Sequence, residues 1–283
     1  MKLIADSGST KTKWVVVDRE KIIHSFETKG MNPYFQTTEE TSKRIEDELL
    51  PQIQGMDIEA LHFYGAGCTP EKKGIISKLF SDFFASIQTI TVDSDMMGAA
   101  QGLCGNNAGI VCILGTGSNS CFYNGKDVVM NVSPLGYILG DEGSGAVLGR
   151  TLVGDLLKNQ LPNGLKEKFL TTYCLTPADI IENVYRKPFA NRFLASLSPF
   201  LLEHIEIPEV KELVMNNFQS FIKRNVKQYN YGNYPVYFTG SIAYYYKSIL
   251  AEAALSCDII IASIEKDPIN GLIKYHENQE NND

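Results

Sequence analysis

The chain has 283 residues, of which 44% are apolar and 21% are charged, and this is the composition of an ordinary globular protein. It excludes an intrinsically disordered chain and a fibrous repeat, and the length suffices for one large hydrophobic core or two smaller ones. The 33 acidic residues outnumber the 26 basic ones, which gives a formal net charge of -7. A nucleic acid or an anionic membrane is therefore not an expected partner, although a local site for one small phosphate stays open.

The start of the chain predicts no targeting segment. The apolar stretch after Lys2 ends at Asp6, which is far too short for a secretory signal peptide, and no window approaches the roughly 18 to 20 apolar residues that span a bilayer. The six cysteines include no Cys-x-x-Cys pair, and the four histidines stand alone, so zinc-ligand spacing is absent. We therefore expect a cytoplasmic protein with reduced, mostly buried thiols and no membrane partner.

Strand and helix patterns alternate in the first hundred residues. The first thirty residues alternate in a β manner and predict an antiparallel meander. The predicted elements are strands at 2–5, 14–18, 21–27 and 60–64, a strand ending near Val92, and helices at 38–50 and 70–84. Strands that alternate with helices indicate an α/β layer fold.

The same β pattern then recurs. A short apolar strand at 110–114 leads into a second turn rich in Gly, Ser and Thr, and a returning strand follows from Cys121 with Asn124-Gly125 at its tip. Placing Gly8 on Gly117 gives two copies of one unit, separated by a plausible domain length. Beyond the repeat, the pattern is mainly helical over 144–227, and α/β character returns with a strand at 236–238 and a helix from Ser241.

The first turn has the composition of a phosphate-binding loop. It reads Asp6-Ser7-Gly8-Ser9-Thr10-Lys11-Thr12, and small residues there let backbone N–H groups converge on an anion. The spacing matches neither a P-loop nor a dinucleotide fingerprint. Asp6 would repel a phosphate unless a cation lay between them, and Mg²⁺ held by one carboxylate, water and phosphate oxygens meets this need. An ordinary hairpin turn is the alternative interpretation.

The second turn repeats this composition at the equivalent place in the second copy. It reads Gly115-Thr116-Gly117-Ser118-Asn119-Ser120. Two such turns, opposed across a cleft between duplicated domains, would hold successive phosphates of one nucleotide.

Together these motifs resemble those of the actin, hexokinase and Hsp70 superfamily, and within it the BadF/BadG/BcrA/BcrD-type ATPase family, which includes N-acetylglucosamine kinases. The turns at 6–12 and 115–119 are similar to its two phosphate motifs, and 238–243, Phe-Thr-Gly-Ser-Ile-Ala, is similar to its adenosine motif. The most specific match is 135–145, which resembles the G-W-G-x-x-L-G-D-E-G-S stretch of amino-sugar kinases.

The resemblance implies an α/β fold of two ribonuclease H-like, actin-like ATPase domains with a nucleotide cleft between them. Their expected limits are 1–103 for the N-terminal domain and 104–269 for the C-terminal domain, which carries the helical insertion. A last helix at about 270–283 is expected to return to the first domain.

The resemblance also implies an ATP- and Mg²⁺-dependent kinase that phosphorylates a hydroxyl of N-acetylglucosamine or a related amino sugar. Asp95 is implied as the general base, with Asp93 as the rival and a helix-terminal carboxylate as the plain alternative for Asp95. Asp6 is implied as the metal ligand. The implied ATP-binding residues are Ser7, Gly8, Ser9, Thr10, Lys11, Gly115, Thr116, Gly117, Ser118, Gly240 and Ser241. The implied sugar-binding residues are Asn32, Asp95, Thr116, Asn119, Gly136, Tyr137 and Asp141.

Two other functions stay open at this point. The family includes ATP-dependent activators of 2-hydroxyacyl-CoA dehydratases, which hold an iron–sulfur cluster between subunits through cysteines. A non-catalytic ATP-binding sensor would need the glycine-rich turns and Asp6 but would not need Asp95, Asn32 or the 135–145 stretch. The sequence leaves the sugar and the oligomeric state open, with a homodimer as one expectation.

Overall fold

Two five-stranded sheets organise the part of the chain that the structure, a computed structural model, describes: residues 1–280. The strands of the first sheet are β1 (Lys2–Ser7), β2 (Lys11–Asp18), β3 (Lys21–Lys29), β4 (Ala60–Gly65) and β5 (Thr89–Ser94). Those of the second sheet are β6 (Ala108–Leu114), β7 (Ser118–Asn124), β8 (Val128–Val132), β9 (Val236–Thr239) and β10 (Ile261–Glu265). The predicted α/β fold class is confirmed.

Helices follow the strands and fill the long stretch between β8 and β9. The helices are α1 (Thr38–Arg44), α2 (Lys73–Phe83), α3 (Asp95–Cys104), α4 (Gly136–Leu139), α5 (Gly145–Leu157), α6 (Leu165–Thr172), α7 (Pro177–Tyr185), α8 (Ala190–Ser196), α9 (Pro199–Glu203), α10 (Pro208–Arg224), α11 (Ser241–Tyr245), α12 (Lys247–Leu255) and α13 (Ile269–Glu280). The last three positions of the predicted helix at 270–283 lie outside the described residues.

Both sheets use the same strand order. The first is β3-β2-β1-β4-β5 and the second is β8-β7-β6-β9-β10, so each strand of one copy has its counterpart in the other. The residue register predicted for the repeat is wrong by two positions. Because β1 ends at Ser7 and β6 ends at Leu114, Gly8 corresponds to Gly115 and not to Gly117.

In the first sheet, β1 occupies the centre. It pairs antiparallel with β2 and parallel with β4, and β4 pairs parallel with β5. Central strands that are covered on both faces need continuous apolar runs. This requirement explains why residues 2–5 of β1 and the whole of β4 are buried. Asp6, predicted to lie in the turn, is instead a residue of β1, paired with Lys13 on β2 and Tyr64 on β4.

Two predicted helices differ from the observed ones. The helix expected at 38–50 is regular only as α1, whose first turn is closed by a capping box between Thr37 and Glu40. It continues as a single π-helical turn and then a 3₁₀ turn that contains Pro51, because proline removes a backbone donor and fits only the start of a helical turn. The helix expected at 70–84 begins only at Lys73.

The described chain divides into two compact units. The first unit contains Met1–Gly109, Tyr123–Val129 and the residues from Asp267 onward, and the second contains Ile110–Phe122 and Met130–Lys266. The predicted domain boundaries at 103/104 and 269/270 stay predictions.

Each unit has its own hydrophobic core. In the first, Trp14, Phe63 and Phe80 pack with their rings 5.2 to 6.3 Å apart between centroids. Helix α13 covers the other face of that sheet, where Leu272 packs with Ile4 and other buried residues. The second unit has a larger core, built mainly from β6, β9 and the helices α5 to α12. These cores fix the strand ends from which the candidate site residues project.

Candidate active site

Three parallel strands of the first unit bring the predicted acidic residues to one sheet edge. The carboxyl ends of β1, β4 and β5 carry Asp6, the loop 65–68 and Asp95, respectively. Ligands of α/β sheets bind at the carboxyl ends of the strands because the connecting loops converge there. This edge is therefore the candidate site of the first unit.

The first turn is a tight hairpin. The N–H of Gly8 donates to the carbonyl of Lys11 at 2.9 Å, which leaves Ser9 and Thr10 at the tip. The ammonium group of Lys11 lies 2.5 Å from Glu27 Oε1, and that of Lys13 lies 2.8 Å from Asp267 Oδ2. Lys11, which the resemblance implies as an ATP-binding residue, and Lys13 are thus both paired with carboxylates of the same unit.

Asp6 lies in an electrostatic environment that disfavours its charged form. Burial, followed by the negative charges of Asp267 and Asp95, raises the pKa of Asp6 to about 7, against the opposing effect of Lys13 and Lys11. A carboxylate in these surroundings gains stability when a cation binds beside it, because the cation relieves both the desolvation and the repulsion.

Asp95 and its rival Asp93 have different surroundings. Asp95 is the first residue of α3, where Ser94 is the N-cap and accepts the N–H of Met97 at 3.1 Å. Burial raises the pKa of Asp95 to about 6, although a hydrogen bond from the N–H of Met96 opposes the shift. Asp93 instead lies 3.4 Å from the ammonium group of Lys73. Asp95 therefore has the properties of a proton acceptor near neutral pH, while Asp93 is engaged in an ion pair.

Asn32 is buried beside the same edge. Its side-chain oxygen accepts the N–H of Tyr34 at 2.9 Å, and its backbone N–H donates to Gln36 Oε1 at 2.9 Å. Gly67, in the loop after β4, has a φ of 78°, and a Cβ there would lie 2.1 Å from Asn32 Oδ1. Only glycine lets this loop approach the amide so closely.

Ser7 is the last residue of β1, directly before the turn. Its side chain is fully buried, and its hydroxyl lies 2.7 Å from Thr12 Oγ1 and 3.1 Å from the backbone nitrogen of Met31. A hydroxyl enclosed in this way is bonded to other residues of the protein, so phosphate binding by Ser7 stays a prediction that its hydroxyl does not support. The other predicted residues of the turn, from Gly8 to Lys11, are at least partly exposed.

In the second unit, the corresponding turn is held by a helix. The N–H of Gly115 donates to the carbonyl of Gly117 at 2.9 Å. The carbonyls of Gly115 and Thr116 accept the N–H groups of Gly145 and Ala146, at 2.8 and 3.1 Å, from the first turn of α5. The turn is thereby fixed to the start of α5, whose N-cap is Ser144.

Asp141 lies next to this turn in a strained backbone conformation. Its φ is 55°, and its N–H donates to the carbonyl of Pro134 at 2.9 Å, which closes the 134–141 loop. The carboxylate accepts the N–H of Ser118, while burial raises the pKa of Asp141 to about 6. A left-handed conformation at a non-glycine residue costs free energy, so it marks a position fixed by its surroundings.

The other residues implied to bind the sugar differ in accessibility. Asn119 Oδ1 already accepts the N–H of Ser120 and the side-chain amide of Asn131. Gly136 is exposed with a φ of 75°, whereas the ring of Tyr137 packs against the core of the second unit. The ring of Tyr137 is therefore only partly accessible to a ligand.

The implied adenosine segment adjoins the second turn. Gly240 has a φ of 109°, and a Cβ there would lie 2.4 Å from the carbonyl oxygen of Leu114, the residue before the turn. Gly240 is also the N-cap of α11, so Ser241 is exposed as the first residue of that helix and is not its cap. The close packing of Gly240 leaves the carboxyl ends of β6 and β9 side by side.

Several features of these edges were not predicted from the sequence. Gly65, Gly67 and the pair of Lys13 with Asp267 all contribute to the first unit's edge. The signal for the loop was present, because two glycines directly follow a continuous buried strand. The ion pair joins residues 254 positions apart and left no local signal.

The cysteines and the helices limit other functions. Five of the six cysteines are buried, and Cys174 alone is exposed, whereas a cluster shared between subunits needs cysteines at the surface. Within residues 1–280, no three or more His, Cys, Asp or Glu side chains are grouped to hold a metal ion. No helix in this part of the chain has the length and apolar character needed to cross a membrane.

Solved structures of other proteins are similar to this chain over nearly its whole length. A proposed N-acetylglucosamine kinase from Porphyromonas gingivalis is 49% identical, with 99% of this chain and 100% of that chain covered and a TM-score of 0.97. A second proposed N-acetylglucosamine kinase, from Chromobacterium violaceum, is 17% identical with a TM-score of 0.75, covering 97% of this chain and 99% of that one.

A more distant structure shares the fold alone. The ROK family glucokinase from Streptomyces griseus, solved with glucose and AMPPNP, is 14% identical with a TM-score of 0.59 and 97% coverage of both chains. No protein-family model matches the chain, and no curated protein matches it significantly.

Proposed function

This chain belongs to the N-acetylglucosamine kinase-like family of actin-like sugar kinases, and we propose that it uses ATP to phosphorylate a hydroxyl of N-acetylglucosamine or a related amino sugar. The observation that carries the proposal is the 49% identity to a proposed N-acetylglucosamine kinase across 99% of the chain. The two glycine-rich turns and the buried carboxylates at the strand ends support it. We further propose that the protein acts in the cytoplasm.

Asp95 is the proposed general base. In the transfer, the sugar hydroxyl oxygen forms a bond to the γ-phosphorus, the bond from that phosphorus to the β,γ-bridging oxygen breaks, and the hydroxyl proton passes to the Asp95 carboxylate. Phosphoryl transfer requires alignment and charge stabilisation more than covalent work by the protein. A pKa of about 6 suits the role, because the carboxylate is ionised at neutral pH and is still basic enough to accept the proton.

The residues of the first unit fit a bound Mg²⁺. The ion commonly keeps several waters and uses one or two carboxylates together with substrate phosphates, so it needs no three-ligand protein site. Asp6 is the proposed ligand, with Asp267 and Asp95 contributing negative charge nearby. When bound, Mg²⁺ supplies charge neutralisation for the phosphate oxygens.

The remaining residues are proposed to bind the two substrates. The turns at 8–11 and 115–118 would contact the phosphates through those backbone N–H groups that are not already bonded within the protein, and Gly240 and Ser241 would contact the adenosine. Asn32, Asn119 and Asp141 would hydrogen-bond sugar hydroxyls, because amide and carboxylate groups pair well with them. Thr116, Gly136 and Tyr137 are also proposed to contact the sugar.

A substrate screen tests the proposal. Purified protein with Mg²⁺ and ATP would be assayed for ADP release with N-acetylglucosamine, N-acetylmannosamine, glucosamine, glucose and other hexoses. We expect stimulation by an N-acetylated amino sugar, with phosphorylated sugar confirmed by mass spectrometry. ADP release that no sugar stimulates would contradict the proposal and favour a non-catalytic sensor.

A further inference from the structure

We infer that Ser7 is a positioning residue that holds the phosphate turn of the first unit and the segment containing Asn32 in one fixed arrangement. The inference rests on the proposed function, since it concerns how the two substrates of that reaction are aligned. In this role, Ser7 acts through its hydrogen bonds to other residues of the protein and does not contact either substrate.

The hydroxyl of Ser7 connects three parts of the chain. From the end of β1, it lies 2.7 Å from Thr12 Oγ1 on β2 and 3.2 Å from the carbonyl oxygen of Met31. It also accepts the N–H of Met31 at 3.1 Å. Both backbone groups of Met31, the residue directly before Asn32, are therefore tied to the strand that leads into the phosphate turn.

Direct backbone contact strengthens this connection. The N–H of Gly30 donates to the carbonyl of Thr10, at the tip of the turn, at 3.0 Å. A Cβ at Gly30 would lie 2.3 Å from the carbonyl oxygen of Gly8, so any other residue there would push the two segments apart. The 30–32 segment thus lies on the phosphate turn with no intervening side chain.

Gln36 holds the outer side of the same segment. Its Oε1 accepts the N–H of Asn32 at 2.9 Å, and its Nε2 donates to the carbonyl of Gly30 at 3.1 Å. The backbone around Asn32 is therefore bonded on one side to Ser7 and on the other to Gln36. Both residues fix Asn32 while leaving its side-chain nitrogen available to a ligand.

This fixed arrangement matters because the rate of phosphoryl transfer depends on how the two substrates are aligned. In phosphoryl transfer, the attacking oxygen must lie in line with the bond that breaks, and a displacement of about 1 Å can cost a factor of roughly 10² in rate. Each substrate can still bind when the two binding segments shift relative to each other. Loss of the Ser7 hydroxyl should therefore lower kcat much more than either binding affinity.

The test compares Ser7→Ala, Gln36→Ala and a matched control. Thr41→Val removes another buried hydroxyl of the same unit, one whose hydrogen bond goes to the carbonyl of Thr37, the N-cap of α1, and to neither segment. We expect Ser7→Ala to lower kcat by about tenfold or more, with sugar and Mg-ADP dissociation constants changed less than about threefold. Gln36→Ala should lower kcat by a smaller factor, and Thr41→Val should leave it within about twofold.

The possible outcomes separate the inference from the proposed function. Wild-type protein without sugar-stimulated turnover would overturn the proposed function, and the inference with it. Wild-type turnover together with unchanged kcat in Ser7→Ala, or with equal loss in Thr41→Val, would overturn the inference alone. If Ser7→Ala does not fold, Gln36→Ala decides: its side chain lies partly at the surface, and an unchanged kcat there overturns the inference.

Discussion

The two glycine-rich turns occupy equivalent places in two sheets of identical strand order, yet different partners hold them. The turn of the first unit lies against the 30–32 segment and has Asp6 two residues before it. The turn of the second unit is bonded to the start of α5, and apolar residues precede it. Its nearby carboxylate, Asp141, comes from a separate loop.

This difference indicates a division of tasks between the two copies. The first edge has three acidic residues that interact electrostatically: Asp6, Asp95 and Asp267. Together they could bind a cation, and Asp95 could accept a proton. At the second edge, Asp141 accepts the backbone N–H of Ser118 from the adjoining turn, and the charge of Glu142 lies close to it. We therefore expect changes at Asp95 and Asp6 to affect turnover and metal-nucleotide binding, respectively, and changes at Asp141 to affect sugar binding.

The largest effect is expected at the proposed base. Asp95→Asn should lower kcat by a factor on the order of 10² or more with little change in Mg-ATP affinity, because a general base typically contributes this much. Asp93→Asn is the matched control, since Asp93 pairs with Lys73 at the same strand end. Steady-state kinetics of both variants decide between the two carboxylates. The reverse pattern, a large loss only in Asp93→Asn, would transfer the role to Asp93.

The next largest effect is expected at Asp6, the proposed metal ligand. Asp6→Asn keeps the shape of the side chain but removes its charge, so the affinity for Mg-ATP should fall about tenfold or more while sugar affinity stays within about twofold. Calorimetric titration with ADP in the presence and absence of Mg²⁺ measures this. Because the amide lacks the repelled charge, ADP without metal should bind Asp6→Asn no more weakly than it binds wild type. Equal Mg-ADP affinities in the two proteins would contradict the metal role.

A change in the second unit should act on the sugar. Asp141→Asn should raise the KM for the sugar by about tenfold, because a hydrogen bond to a charged group contributes about 1.5 to 3 kcal/mol. Asparagine tolerates the left-handed conformation that Asp141 adopts, so the backbone should persist. Glu142→Gln is the control, because it removes the carboxylate of the next residue in the chain, which pairs with Arg224. A similar KM change in both variants would point to a general disturbance of the loop.

Local sequence patterns were sufficient for the framework of both regions. Alternation and turn composition predicted the meanders, and the two turns were found because Gly, Ser and Thr cluster between apolar strands. The register between the copies was wrong because glycines in both turns can be matched in more than one way. Strand pairing decides it, and pairing depends on where β1 and β6 end.

Features that depend on tertiary contact could not be predicted. Gly67 is needed only because Asn32, far along the chain, lies where a Cβ would be. The enclosure of the Ser7 hydroxyl by Thr12 and Met31 also depends on contacts between separate segments. Likewise the histidines are isolated in the sequence, whereas His62 and His276 stack with ring centroids 3.6 Å apart.

The first unit contains a stacked pair of histidines that should make its stability depend on pH. His276, on α13, lies against His62 on β4, and its Nε2 is 2.9 Å from the hydroxyl of Tyr64. Burial, then the charge of His62, then that of Lys2 lower the pKa of His276 to about 3. Other polar groups near the pair are Gln101, which accepts the hydrogen of the Tyr64 hydroxyl, Glu277, which pairs with Lys2, and Tyr275, whose ring lies edge-on to that of His276.

The smallest predicted effect follows from this cluster and is a difference in acid stability. Unfolded His276 takes up a proton near pH 6.5 but the folded form does not, so its stabilising contribution is present above pH 6.5 and declines as the pH falls towards 3. The raised pKa values of Asp6 and Asp95 act with the opposite sign, so the comparison must be with His276→Gln, in which they are unchanged. From pH 6 to pH 5, the free energy of unfolding of wild type should fall by ~1.2 kcal/mol relative to that variant, because the unfolded chain binds most of one proton over this range. Urea denaturation at both pH values measures this, with His24→Gln expected to follow wild type. A constant difference between wild type and His276→Gln at the two pH values would show that the folded protein protonates His276 as readily as the unfolded chain does.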